Sequence, residues 1–181
     1  FDHALKRMMN LAKAMVQDSI LSLQNNNKEL ALDVIQRDND VDRLNLLIAR
    51  QFAELLSSGS MKKETSDSIT AFTYMQAASY LERIADHASR ISEISAKSNC
   101  VLPQEITEEL SHLRAAFGNL IDGSLSVLLH GDSNNANKLI DSTMEIRKHA
   151  QILADSARVK DKDEMLVRLV VARSIERMLD Y

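Results

Sequence analysis

The stretch Leu81-Glu82-Arg83-Ile84-Ala85-Asp86 returns near the far end of the chain as Ile175-Glu176-Arg177-Met178-Leu179-Asp180. Both copies read apolar-Glu-Arg-apolar-apolar-Asp and lie about 94 residues apart in a chain of 181. The spacing is roughly half the chain, which marks an internal duplication. Each copy also sets a Glu and an Asp at i,i+4, on one face of a helix. A carboxylate pair one turn apart is a natural start for a site that binds a hard cation.

Such pairs are not rare in themselves. With 26 acidic residues in the chain, random placement would supply roughly four at the i,i+4 spacing that shares a helix face. The sequence holds six: Glu29/Asp33, Asp38/Asp42, Glu82/Asp86, Glu105/Glu109, Asp141/Glu145 and Glu176/Asp180. Their order carries the signal. Asp38/Asp42 precedes Glu82/Asp86 in the first half, and Asp141/Glu145 precedes Glu176/Asp180 in the second.

Composition points to long helices. Only 4 Gly and 1 Pro interrupt 181 residues, while 45% are hydrophobic, a balance poor in turn residues and rich in helix formers. Without Trp and with few other aromatics, aliphatic and Met side chains must fill the core. A formal net charge of −4 gives no electrostatic reason to expect nucleic acid, and the basic residues read as dispersed rather than gathered into a stripe. The single Cys100 excludes an intrachain disulfide and fits a reducing compartment. No uncharged apolar run is long enough to span a membrane, and no signal-peptide pattern is present. The chain opens on Phe1 and stops at Tyr181, one residue past the repeated Asp. Both ends read as cut, which predicts a fragment whose last helix is truncated.

Breakers divide the sequence into six helical segments. The first runs from about Asp2 to Gln24, ending at Asn25-Asn26-Asn27. The second runs from about Lys28 to Ser57 and closes at Ser57-Ser58-Gly59-Ser60; its Val34, Val41, Ile48 and Leu55 fall at heptad spacing beside Leu30 and Leu44, the stripe of a packed bundle helix. The third spans about Lys62 to Ser98, with Tyr74, Ala77, Leu81, Ile84 and Ile91 apolar. Pro103 suits the first turn of the fourth, which runs from Gln104 to about His130. After Gly131-Asp132-Ser133-Asn134 the fifth reaches about Ala157, and Lys160 to Asp163 leads into the sixth. Divided between Ser98 and Pro103, each half is three helices with short connections, so neighbours should run antiparallel. The expected fold is all-α, two pseudo-symmetric antiparallel three-helix bundles, residues 1–98 and residues 99–181.

Helix phase places the acids. At about 100° per residue, with Leu81 taken as the core direction, Glu82 and Asp86 point roughly 100° and 140° away from it. Glu176 and Asp180 repeat this relation to Ile175. Asp38 and Asp42 sit at the edge of the stripe marked by Val34 and Val41, and Asp141 and Glu145 lie similarly beside Ile140. An isolated acidic pair of this kind is usually a solvated face. If the pairs of each half converge, the carboxylates repel and some pKa values rise unless a multivalent cation intervenes. Ligation by oxygen alone suits Mg²⁺, Ca²⁺, Mn²⁺ or iron.

At these residues the chain resembles the PhoU family of phosphate-uptake regulators, whose fold is two three-helix bundles, each with two motifs of Glu or Asp, three residues, then Asp. The matching stretches are Asp38-Asn39-Asp40-Val41-Asp42, Glu82-Arg83-Ile84-Ala85-Asp86, Asp141-Ser142-Thr143-Met144-Glu145 and Glu176-Arg177-Met178-Leu179-Asp180. Two departures stand out: the third motif ends in Glu145, and Ala85 stands where the family usually has Gly. The resemblance implies a cytoplasmic regulator rather than an enzyme. It implies clusters of iron, zinc, manganese or magnesium held by Asp38, Asp42, Glu82, Asp86, Asp141, Glu145, Glu176 and Asp180. It also implies partners: an ATP-driven phosphate transporter, through its ATPase, and a phosphate-sensing histidine kinase. A homodimer is compatible with it, and nucleic acid is not expected to bind this stretch, although some relatives carry a DNA-binding domain before the bundles.

Other side chains carry weaker signals. His87 follows Asp86 but lies 100° round the helix and should face solvent. His3, His112, His130 and His149 lack the H-E-x-x-H spacing and read as surface or boundary residues. Arg83 and Arg177 each follow a motif Glu; a salt bridge to a neighbouring helix is the ordinary role, and holding an anion near the metals is the alternative. Met8, Met9, Met15 and Met165 read as core filler, and Cys100 as a bystander. No phosphate loop, nucleophile elbow or dinucleotide fingerprint occurs. Rival readings remain: an accessory protein of another phosphate or ion transporter with the same fold, a di-metal phosphatase or oxidase, or a helical adaptor that binds no metal.

Overall fold

The computed structural model describes residues 2–57, 65–155, 159 and 161–181. Six helices form: α1 (Asp2–Gln24), α2 (Lys28–Ser57), α3 (Thr65–Lys97), α4 (Gln104–His130), α5 (Ser133–Ala154) and α6 (Lys162–Met178). These bounds follow the sequence expectation closely. The expected extensions to Lys62 and Ala157, and the closing turn at 58–60, lie outside the described residues.

Local chemistry explains where each helix stops. Asn26 takes the left-handed conformation (φ 48°), which Asn tolerates better than most residues, and Asn27 Oδ1 accepts from the Leu30 N–H at 3.1 Å. That bond caps the orphan donors at the start of α2. Gly131 ends α4 at φ 69°, its N–H donating to the Val127 carbonyl, a left-handed cap that a Cβ would strain. Asp132 then accepts from Asn134 and Asn135 to open α5, and Asp161 accepts from Asp163 to open α6. Pro103 departs from expectation by one position. It is the N-cap of α4, with ψ 151°, and its carbonyl accepts from the Ile106 and Thr107 N–H groups, both at 3.0 Å.

The first three helices pack on one another pairwise. Val34, Val41, Leu44 and Ile48 of α2 are buried as their heptad spacing predicts, while Leu30 and Leu55 at the ends of the stripe are only half-buried. Small buried residues lie on both α1 (Ala12, Ser19, Ser22) and α3 (Ala85, Ala88, Ser92, Ser95), two helices that pack on each other. The Ser22 hydroxyl lies 2.9 Å from Ser95 Oγ, a buried polar pair that satisfies itself across the seam.

The second half is built differently from the simple picture of a closed trio. α4 packs on α1, α6 packs on α3, and α5 contacts only α4 and α6; no Cα of α4 comes within 8 Å of one in α6. α4 is fixed to α1 by Lys13 to Asp122 at 2.6 Å, and by Gln24 Nε2 donating to the Thr107 carbonyl at 2.8 Å and to Ser111 Oγ at 2.7 Å. Gly118 faces Gln17 here, where an added Cβ would meet Gln17 Nε2 at 2.6 Å. One continuous apolar core therefore runs through both halves, from Leu5 to Met178. Met8, Met9 and Met15 are in it, whereas Met165 is only half-buried and Met178 fills that part instead. Among the described residues, no helix is long and apolar enough to cross a membrane.

Candidate functional site

α2 and α3 bring the first four acids together. Asp38 and Asp42 on α2 face Glu82 and Asp86 on α3; Asp38, Glu82 and Asp86 are half-buried and Asp42 is exposed. Burial first, then the charges of Asp86, Asp42, Glu82 and Glu93, push the Asp38 carboxyl up to about 6 from 3.8. Burial, Asp86 and Asp42 also raise Glu82, with Arg83 pulling it back. Both causes act in the direction expected for crowded, partly desolvated carboxylates. Among the described residues none of the four acids makes an ion pair or a hydrogen bond. The first set is an uncompensated patch of negative charge.

The repeat set behaves otherwise. Asp141 and Glu145 on α5 are exposed, Glu176 on α6 is half-buried, and Asp180 is exposed in the turn that ends α6. Asp180 thus falls just past the helix rather than on it. Arg147 Nη2 donates to Asp180 Oδ1 at 2.8 Å and to the Leu179 carbonyl at 3.3 Å, with Arg177 3.5 Å from the other carboxylate oxygen. These arginines hold Asp180 below the usual carboxylate range. The register of the duplication explains the difference. Arg147 stands two residues after Glu145, where the first half has the buried Leu44 two residues after Asp42. A fixed cation already occupies the ground a metal would take.

A cation suits the first set on its donor chemistry and its uncompensated charge. Among the described residues, no three His, Cys, Asp or Glu side chains gather closely enough to share one ion, the separation expected of acids that repel one another. The second set, with Asp180 committed to Arg147, suits a metal less well.

Other positions correct the sequence reading. His87 is 8% exposed, not solvent-facing, because α6 lies over the face of α3 that a lone bundle would leave wet. Its ring stacks at 6.1 Å on Tyr181, which also stacks at 6.3 Å on Tyr80. Burial and the nearby Arg90 lower its pKa, and His87 Nδ1 has no hydrogen-bond partner among the described residues. Neither arginine makes the expected salt bridge to a neighbouring helix among the described residues: Arg177 pairs with Asp180 in its own helix end, and the Arg83 guanidinium lies 5.7 Å over the Tyr181 ring. Basic side chains do form a stripe. Arg83, Arg90 and Lys97 recur every seven residues along α3 and share a groove with Arg173 and Arg177 of α6. Counting charges along the chain misses it; heptad phase applied to Arg and Lys would have found it.

A di-metal oxidase would call for Glu-x-x-His, a pair the chain is expected to lack; α4 nevertheless carries one, Glu109-Leu110-Ser111-His112. Glu109 Oε2 lies 2.6 Å from His149 Nδ1 on α5, and the His149 ring stacks on His112 at 5.9 Å. The contact ties α4 to α5 instead of framing a metal. His3 is exposed as expected, and the His130 side chain lies outside the described residues.

Comparison with known proteins agrees with this architecture. The family model described as "PhoU domain" matches residues 5–95, half of the chain. The "Phosphate-specific transport system accessory protein PhoU homolog" of Synechocystis sp. is 26% identical over 194 aligned residues, covering 100% of this chain and 85% of that protein. The crystal structure of the phosphate transport system regulatory protein PhoU from Streptococcus pneumoniae superposes with a TM-score of 0.86 at 20% identity, covering 99% of this chain and 86% of that one. PhoU from Pseudomonas aeruginosa gives 0.80 at 18% identity, covering 98% and 88%. At these identities the two crystal structures bear on the fold alone: an all-α helical bundle. Match, relatives and the duplicated acidic motifs converge, and the chain belongs to the PhoU family.

Proposed function

We propose that this chain is a cytoplasmic regulator of phosphate transport that acts by binding rather than by catalysis, with a metal-bearing surface on its first bundle. In this reading residues 1–98 and 99–181 are its two repeats. The observation that carries the proposal is the approach of Asp38, Asp42, Glu82 and Asp86, whose burial and mutual repulsion raise the Asp38 and Glu82 carboxyls, with no ion-pair partner among the described residues. A bound divalent or trivalent cation would supply the positive charge that these four carboxylates lack. Asp141, Glu145, Glu176 and Asp180 form a weaker second set, since Arg147 competes for it. Neutralising the first surface turns a self-repelling patch into one that can dock another protein. The ATPase of a phosphate transporter and a phosphate-sensing histidine kinase are the partners this reading favours.

Chelator-stripped protein titrated with Mn²⁺, Mg²⁺, Zn²⁺ or Fe³⁺ tests the site. Binding should raise the melting temperature, as any ligand selective for the folded state does, and Asp38→Asn with Asp86→Asn should abolish the rise. A melting temperature indifferent to all four ions would leave a helical adaptor with a solvated acidic face.

A further inference from the structure

The groove between α3 and α6 is lined by Arg83, Arg90 and Lys97 from one wall and Arg173 and Arg177 from the other, and encloses about 660 Å³. Its acids are Asp86 and Glu93, so cations outnumber them in a chain whose formal net charge is −4. Helix phase separates the two signs. Asp86 and Glu93 are both felt by Asp38 and so belong to the flank nearer α2, while the basic stripe looks toward α6. Arg90 and Arg173 are exposed and have no ion pair among the described residues; Lys97 and Glu93 are only loosely paired, at 3.7 Å. Unpaired guanidinium forks are built to bind oxyanions by paired N–H donors.

A second observation points into the same space. His87 lines the groove, is more than nine-tenths buried, and its Nδ1 has no hydrogen-bond partner among the described residues. Since Nδ1 is sealed from solvent, His87 senses a ligand in the groove through its ring rather than by a bond from that atom. Tyr181, stacked on His87 and under Arg83, forms an aromatic end to the groove.

We infer that this groove is an anion site for a compound carrying two or more linked phosphate groups, held by Arg90 and Arg173 from opposite walls above the buried His87 ring. Size favours linked phosphates over a single one. Cations seven residues apart are about 10 Å apart along a helix, a step that one tetrahedral oxyanion does not bridge. The volume falls in the range of ~300–1,000 Å³ typical of small-molecule sites. The site adjoins the proposed cation cluster, with Asp86 at their shared edge, and needs no metal.

Calorimetric titration in EDTA, which removes any metal bridge, tests the inference with sodium tripolyphosphate, ATP and citrate as probes. Tripolyphosphate should bind and perturb the His87 ring resonances, and Arg90→Ala with Arg173→Ala should weaken it at least tenfold. Lys138→Ala with Lys148→Ala removes the same charge from α5 and should leave the affinity within twofold. ATP binding more tightly than tripolyphosphate assigns a nucleotide ligand, and weaker binding assigns an inorganic chain. Absence of binding by both phosphates overturns the site. Equal loss in the two double variants, or citrate binding as tightly as tripolyphosphate, overturns it as well, since either would mean unspecific attraction to positive charge.

Discussion

Replacing Asp38 by Asn tests the reading of the first acidic cluster through its pH dependence. Burial and four neighbouring acids raise the Asp38 carboxyl from 3.8 to about 6 in the folded chain. The sign follows from proton linkage. Below pH 3.8 the group is protonated whether folded or not, and costs nothing. Between 3.8 and about 6 the folded state holds the proton more tightly than the unfolded one, so stability falls as the pH rises. Above that interval the folded state carries the whole penalty. Taken at full value, the interval from 3.8 to about 6 corresponds to about 3 kcal/mol. Water reaches this half-buried carboxylate and screens its neighbours, which reduces the expected effect to about 1 kcal/mol. Asn keeps the shape and removes the charge. In urea unfolding with EDTA present, Asp38→Asn should therefore match the parent near pH 4 and exceed it by about 1 kcal/mol at pH 8. In a chain this long that is a rise of about 3 °C in Tm. A variant as stable as the parent at pH 8, or one whose advantage does not change with pH, would show that the four acids do not share a field.

Three further outcomes follow from the geometry. Arg147→Gln releases Asp180 from its 2.8 Å partner, and calorimetry should then find tighter divalent cation binding at the second acidic set; unchanged stoichiometry and affinity would mean Arg147 is not what excludes metal there. Gly118→Ala and Gly123→Ala should differ in sign. At Gly118 the new Cβ meets only the mobile end of Gln17 and gains helix propensity, stabilising by up to about 1 kcal/mol, whereas at Gly123 it strikes the branched end of Leu139 on all three of its outer carbons, costing about 1 kcal/mol or more; denaturant melts of the two variants compare them directly. Ser95→Ala removes the 2.9 Å contact with the buried Ser22 hydroxyl, which keeps the Ser19 carbonyl as a partner at 2.7 Å, and should cost about 0.5 kcal/mol; a double-mutant cycle with Ser22→Ala should give a coupling energy of about 0.5 kcal/mol, and zero coupling would mean that the two hydroxyls do not interact.

Much of the fold was legible because helices announce themselves locally. Scarce Gly and Pro, the Asn25–Asn27 turn and Pro103 place the starts of α1, α2 and α4 at Asp2, Lys28 and Gln104 and bracket those of α5 and α6, without any tertiary knowledge. The first acidic cluster was legible for the same reason: two i,i+4 pairs on neighbouring antiparallel helices have few ways to avoid one another. What escaped depends on which helix lies over which. His87 reads as solvent-facing on α3 alone, and only the docking of α6 buries it. Equivalence of the two halves was over-read, because motif spacing ignores the residue that falls two places later, Leu44 in one half and Arg147 in the other. The basic stripe escapes because Arg83, Arg90 and Lys97 stand apart along the chain and line up only at heptad phase, across the groove from Arg173 and Arg177.

The position of α5 has a consequence for motion. Only Ile146, Ala150 and Leu153 of its residues are buried, and it rests on α4 and α6 alone. Helices with so little apolar area at stake open first, as cooperative units well below the energy of global unfolding. Amide hydrogen exchange should therefore run faster along 133–154 than along α1, which is buried on several sides. Asp141 and Glu145 ride on that segment, so faster exchange there would make the second half of the duplication an intermittent surface, present only while α5 is docked, beside a first half whose acids stand on well-packed helices.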